Sequence, residues 1–278
     1  MIKKRKSIWQ KLKENKAAQT ASSILLPLLF GVIIVILWQK QILHKIFNTD
    51  TNTLPVPSRI FCIIADNVPT FALNALYTVI VAVVGLIIGS VIGYIIAIIA
   101  AMFPKWGAGG LTIVGAFNAI PIVALAPVMT NWTKDISNDA NIRSMVAKIL
   151  VVMIVCIASM SINAYRGLTE LKPFALDLMD SYASKKSTIF FKLRIPNSVP
   201  YVFTALRVSV PTSIISAVVS EYFAEYIVGV GREIRENIVL GQYPTAWAYI
   251  VIACLIGILM YGILMIVESL VLRNRRVK

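Results

Sequence analysis

Residues 175–203, ALDLMDSYASKKSTIFFKLRIPNSVPYVF, form a polar, basic and amphipathic stretch set between runs too apolar for water. Leu176, Met179, Ala183, Phe190 and Leu193 recur near helical spacing, while Asp180, Lys185, Lys186, Lys192 and Arg194 face elsewhere. Ser184 to Thr188 reads as a break between two short helices. Pro196 and Pro200 are expected to stop the second helix and start the next apolar run, because proline suits a helix start and not its interior. An insert of this kind lies either in a groove of a partner protein or on lipid headgroups.

The surroundings are those of a bilayer protein. The chain has 278 residues, 58% of them hydrophobic and 14% charged, with a mean hydropathy of +0.79, which excludes an ordinary soluble domain. A hydrocarbon core about 30 Å thick needs roughly 20 residues of helix. Six apolar runs of about that length predict an all-α, polytopic fold: 22–43, 71–103, 110–131, 146–165, 201–226 and 246–271. Pro55, Pro57, Pro104, Gly107, Gly241 and Pro244 punctuate the connections. If both termini and the 166–207 segment share one side, the whole net charge of +14 falls there and the opposite side is neutral. The positive-inside rule then makes that side cytoplasmic. The expected organisation is a basic cytoplasmic segment (1–21), a first spanning helix with an external loop (22–69), a core carrying the cytoplasmic loop 166–203 (70–271), and a basic tail (272–278). Ile8, Trp9 and Leu12 fit either a short helix on the anionic inner leaflet or a frayed basic tail.

Several chemistries are excluded. Cys62, Cys156 and Cys254 have no paired spacing, and His44 has no ligand partners nearby, so neither a disulfide framework nor a metal site is expected and His44 reads as interfacial or solvated. The positive charge is placed for a membrane surface rather than for nucleic acid. Lys186-Ser187-Thr188 imitates the end of a phosphate-binding loop, but no glycines precede it to bring backbone N–H groups onto phosphate, so this chain is expected to bind no ATP. An intramembrane enzyme would need clustered Asp, His, Ser or Cys in the spans, and no catalytic set is present. A secondary transporter driven by an ion gradient is the alternative reading. It calls for an inverted repeat and ionisable groups at mid-membrane.

The loop resembles the EAA loop of permease subunits from binding-protein-dependent ATP-binding-cassette importers. Asp177 stands at the acidic position and Ile195-Pro196 at the closing pair, with Pro200 four residues on; Leu178 and Met179 replace two alanines, and Ala183 replaces a glycine. The resemblance runs from about residue 70 to 270. It implies that Asp177, Ala183, Ile195 and Pro196 belong to a coupling element gripped by a separate ATPase subunit, which carries the ATP and Mg. It further implies a second permease copy or paralogue, an extracytoplasmic solute-binding protein, and a bacterial plasma (inner) membrane location with both termini cytoplasmic. The run Asn118 to Pro127 resembles the nitrate, sulfonate and taurine branch. Small heterocycles such as pyrimidine precursors and riboflavin also belong to the substrates of such relatives.

Pro121 and Pro127 free backbone carbonyls inside a predicted span, which suits a wall facing protein or a water-filled path. Asn118 reads as a path-lining residue or as an interhelical hydrogen-bonding one. Gly85, Gly89 and Gly93, continued by Ala97 and Ala101, make a stripe that lets a neighbouring helix approach closely. Glu221 falls 19 residues after Val202, about 28 Å along a helix, and is followed by Gly229 and Gly231. Family resemblance implies a gate or external docking role, against a solvated interfacial carboxylate. Glu225, Arg232, Glu233, Arg235 and Glu236 are expected on the same external surface.

Overall fold

The computed structural model describes residues 16–223 and 228–273; Ile8, Trp9, Leu12 and Glu225 lie outside them. Every regular element among the described residues is helical. The contacts divide the chain into Met1–Asp66 and Asn67–Lys278.

In the first unit, α1 (Lys16–Gln39) ends where Gln41 turns left-handed, and α2 (Ile42–Phe47) and α3 (Pro57–Asp66) follow. The apolar part of α1, Leu25–Gln39, is shorter than the four long apolar helices of the second unit. His44 is buried rather than solvated, its Nε2 hydrogen-bonded to the Leu54 carbonyl. Burial of an imidazole is tolerated when such a partner is supplied. The Thr53 hydroxyl and amide hold the Asp50 carboxyl below the usual carboxylate range.

In the second unit, α4 (Val68–Met102) opens on Pro69, whose missing N–H costs nothing in a first turn. At 35 residues it is about 52 Å long, well beyond a hydrocarbon core. α7 (Ala140–Thr169) is capped by the Asp139 side chain, which accepts from the Asn141 amide at 2.8 Å. α10 (Ile195–Phe223) and α12 (Tyr243–Leu272) complete, among the described residues, a set of four helices long and apolar enough to cross a membrane.

The predicted span 110–131 is instead two helices, α5 (Pro104–Ala116) and α6 (Ile122–Trp132), bent by 96° across a short 3₁₀ turn at Phe117–Ala119. Ile120 and Pro121 are extended there. Proline cannot donate to the turn before it and pushes its predecessor out of the helical region, so the chain breaks at Pro121. Pro127, already inside α6, breaks nothing.

α4 and α7 make the most extensive helix pair, and α10 packs against α7 and, less extensively, against α4. A β-carbon on Gly85, Gly89 or Gly93 would lie 2.6 to 2.7 Å from Val152 Cβ, Met153 O or Ile157 O of α7. Ala97 and Ala101 extend this seam into a core with Met160, Ala164, Leu168 and Ala205. Small residues bring the backbones together, and close packing rather than water exclusion holds helices in a bilayer.

Candidate functional site

In the loop of residues 170–194, Phe174 is left-handed at φ 62° and leads into α8 (Ala175–Ser181). Asp177 sits in the first turn of α8, exposed, where a carboxylate complements the helix dipole. The helix ends in a Schellman turn: the Ala183 amide donates to Asp180 O at 2.9 Å and the Ser184 amide to Met179 O at 3.0 Å. Ala183 therefore sits at φ 48°, a conformation that glycine adopts freely and alanine does not. α9 (Lys186–Ile189) then runs through a π-helical turn, Phe190–Arg194, directly into α10. Pro196 and Pro200 thus do not stop the second short helix as predicted. The π turn already loosens the ladder just ahead of Pro196, and the apolar helix continues through both prolines.

At the far end of α10 lies a buried polar network. Glu221 is 1% exposed, so the solvated reading does not hold. Its Oε2 accepts from Thr78 Oγ1 and from the Gly231 amide, both at 2.9 Å. The Val230 amide donates to Thr78 Oγ1 at 3.0 Å, and the Gly229 amide to Asn74 Oδ1 at 2.9 Å. Asn74 Nδ2 in turn donates to Tyr249 of α12 at 3.2 Å. Three consecutive amides before and within α11 (Val230–Val239) are thereby held by side chains of α4 and α10. Gly229, at φ 145°, lies flat on the carboxylate, where an added methyl would meet Glu221 Cδ at 2.5 Å. A methyl on Gly231 would run into Val218 O. Beside the network is a cavity of about 150 Å³ lined by Tyr77, Val81, Ser144, Lys148 and Glu221 among others. On α11, Arg232 pairs with Glu236 at 3.3 Å. Partial burial, reinforced by Glu236, holds the Glu233 carboxyl above the usual carboxylate range.

The sequence profile of the family described as "Binding-protein-dependent transport system inner membrane component" matches residues 89–273, a stretch that contains both ends of this architecture. The chain belongs to this family. Among curated permeases, the formylaminopyrimidine transport permease protein ThiX of Halalkalibacterium halodurans is 27% identical over 161 residues, 58% of this chain and 61% of its own. The bicarbonate transport system permease protein CmpB of Synechocystis is 27% identical over 85 residues, 31% of this chain and 30% of its own. The matches thus span less than two thirds of either relative. Two inward-facing crystal forms of the MetNI methionine ABC transporter share the fold at 16% identity. Their TM-scores are 0.58 and 0.54, over 72% and 74% of this chain and 94% of each matched chain. The protein is thus a membrane-embedded transport component, a permease.

In the permease, Asn118 and Pro121 lie at the 96° bend and, with Pro127, are exposed. They belong to the α5–α6 elbow, whereas the Asp177 loop and the Glu221 network are built from other elements. A larger cleft, about 490 Å³, opens between α5 and α7 on the loop side, lined by Thr112, Gly115, Tyr165, Arg166 and Glu170 among others. No group of three or more His, Cys, Asp or Glu that could hold a metal occurs among the described residues.

Sequence reasoning missed Asn74 and Thr78, yet their spacing of four in the apolar run of α4 puts two polar groups on one helical face. Arg207 and Glu268 stand in two different predicted apolar runs, 201–226 and 246–271. They form a bidentate pair, Nε to Oε2 at 2.8 Å and Nη2 to Oε1 at 2.5 Å, joining α10 to α12. The signal was two opposite charges inside two predicted apolar helices, where each needs a partner.

Proposed function

We propose that this permease forms half of the translocation path of an ATP-driven importer in a bacterial plasma membrane, with both termini cytoplasmic. Two copies, or this chain and a paralogue, would enclose the path. Separate ATPase subunits would hold ATP–Mg and grip the loop, and an extracytoplasmic binding protein would deliver the solute. The solute class is small and polar, like the formylaminopyrimidine and bicarbonate named for the relatives or the nitrate, sulfonate and taurine handled by the resembling branch.

The observation that carries this reading is the loop itself. Asp177 and α8 stand exposed beyond the bundle, closed by a left-handed turn at Ala183, while Ile195-Pro196 feeds without interruption into α10. An exposed amphipathic helix on a rigid stem suits insertion into a partner's groove. In this reading Asp177 and Ala183 shape the gripped helix, Ile195 and Pro196 begin the stem, and Glu221, Gly229 and Gly231 fix the external face that meets the binding protein.

The test is affinity capture of full-length permease from its native membrane in mild detergent, with mass spectrometry of the captured proteins. An ATPase subunit should accompany the wild type and be lost with Asp177→Lys and with Ala183→Glu. Absence of an ATPase from the wild-type complex would remove the coupling role and favour a gradient-driven transporter.

A further inference from the structure

The structure assigns Asn197 and Arg194 as positioning residues that lock the second arm of the loop, α9 with the π turn and the first turn of α10 (residues 186–198), to the C-terminal end of α7, so that any displacement of this arm carries α7 with it. The assignment rests on the coupling role proposed for the loop and adds the element through which movement is passed on.

A helix ends with carbonyls that its own amides cannot reach. In the last turn of α7 each of these has a partner. The Glu170 amide donates to Arg166 O at 2.7 Å and the Leu171 amide to Thr169 O at 3.1 Å. The remaining two, and the carbonyl of Glu170 just past the helix, are taken by the loop's second arm. Asn197 Nδ2 spends both of its protons there, one on Gly167 O at 2.8 Å and one on Glu170 O at 3.0 Å. Arg194 Nη1 donates to Leu168 O at 3.3 Å. Shape reinforces the bonds. A β-carbon on Gly167 would lie 2.7 Å from Ser198 Cα and 2.8 Å from Tyr201 Cβ, so α7 and the start of α10 are in backbone contact.

A further bond ties the same arm to α4. Ser198 Oγ donates to Ile195 O at 2.8 Å, which leaves Tyr94 as donor in the 2.8 Å bond between Tyr94 OH and Ser198 Oγ. The first arm contrasts with this. Among the described residues α8 makes no hydrogen bond to a spanning helix, and the Ser181 hydroxyl turns back onto Leu178 O. The loop is thus free where a partner would hold it and anchored where it meets the bundle.

Asn197 tests the lock cleanly because its function is donation. Asn197→Asp keeps the size but aims acceptors at two carbonyls; Asn197→Gln keeps both donors on a longer stem. Nitroxides at Arg166 and Lys186, both exposed, would report the spacing of α7 and the loop in the full-length permease co-purified with its ATPase subunits, in a background lacking Cys62, Cys156 and Cys254. With ATP and vanadate the wild-type distance distribution should remain single. Asn197→Asp should gain a second, longer population only with nucleotide, the ratio of attached to detached arm falling about tenfold or more on loss of two hydrogen bonds. Asn197→Gln should restore the single distance, and Arg194→Ala should give a smaller split if Asn197→Asp fails to assemble.

A nucleotide-dependent split in the wild type, or none in either Asn197→Asp or Arg194→Ala, would overturn the assignment while leaving the importer reading standing. Failure of any ATPase to co-purify with the wild type would overturn the coupling reading and this assignment together.

Discussion

The acid that precedes α10 and the acid in its last turn live in opposite surroundings. Asp177, before it, is exposed on a helix held to the bundle from one side only, whereas Glu221, near its other end, is buried beneath glycine backbone and bonded to two helices. The contrast separates two uses of a carboxylate. A buried one with backbone and hydroxyl donors fixes a loop as part of the fold, and removing it strands the donors. An exposed one contributes little to stability and is available to a partner.

The sharpest way to break the comparison is to disturb the closed end. Gly229→Ala places a methyl on the Glu221 carboxylate in a backbone region alien to alanine. It should cost about 3 kcal/mol or more, read as a lower melting temperature of the solubilised permease. Thr78→Val removes one donor to Glu221 and one acceptor for the Val230 amide, an expected loss of about 2 kcal/mol. Asp177→Lys, by contrast, should move stability by less than about 0.5 kcal/mol while abolishing ATPase capture. Equal destabilisation at the two ends would refute the division.

Smaller effects sharpen it. Ala183→Gly relieves a left-handed alanine and should steady the loop by about 1 kcal/mol, seen as slower hydrogen exchange of the Ser184 amide with little change in global melting. Glu233→Gln should have the smallest effect. Because the folded carboxyl titrates above its unfolded value, the native state favours the protonated form. That advantage is complete below the unfolded value and is lost as pH rises through the folded one. The neutral variant should therefore melt slightly higher than wild type at neutral pH and match it in acid.

Much of this was legible in the chain because the bilayer imposes simple rules. Runs such as 71–103 and 246–271 must be helices, and they are. The loop of residues 175–203 was visible because it interrupts that monotony. What escaped was geometry that depends on distant partners. Proline positions announced a kink near Asn118 but not whether it would be a gentle bend or a 96° turn. A 19-residue offset placed Glu221 near an interface, but its burial depends on a glycine loop folding back over it, which no helical spacing encodes. Asn197 looked like one polar residue among many. Its role follows from where α7 ends, and helix ends are poorly marked when Gly167 lies inside the last turn and no proline or cap follows at once.

The seam between α4 and α7 has a mechanical consequence. Sliding one helix past the other by a single residue, about 1.5 Å, would drive the α7 carbonyls and Val152 away from the positions that only Gly85, Gly89 and Gly93 leave open and against neighbours with side chains. Shear is therefore opposed, and the pair is built to move as one plank rather than to glide along its length.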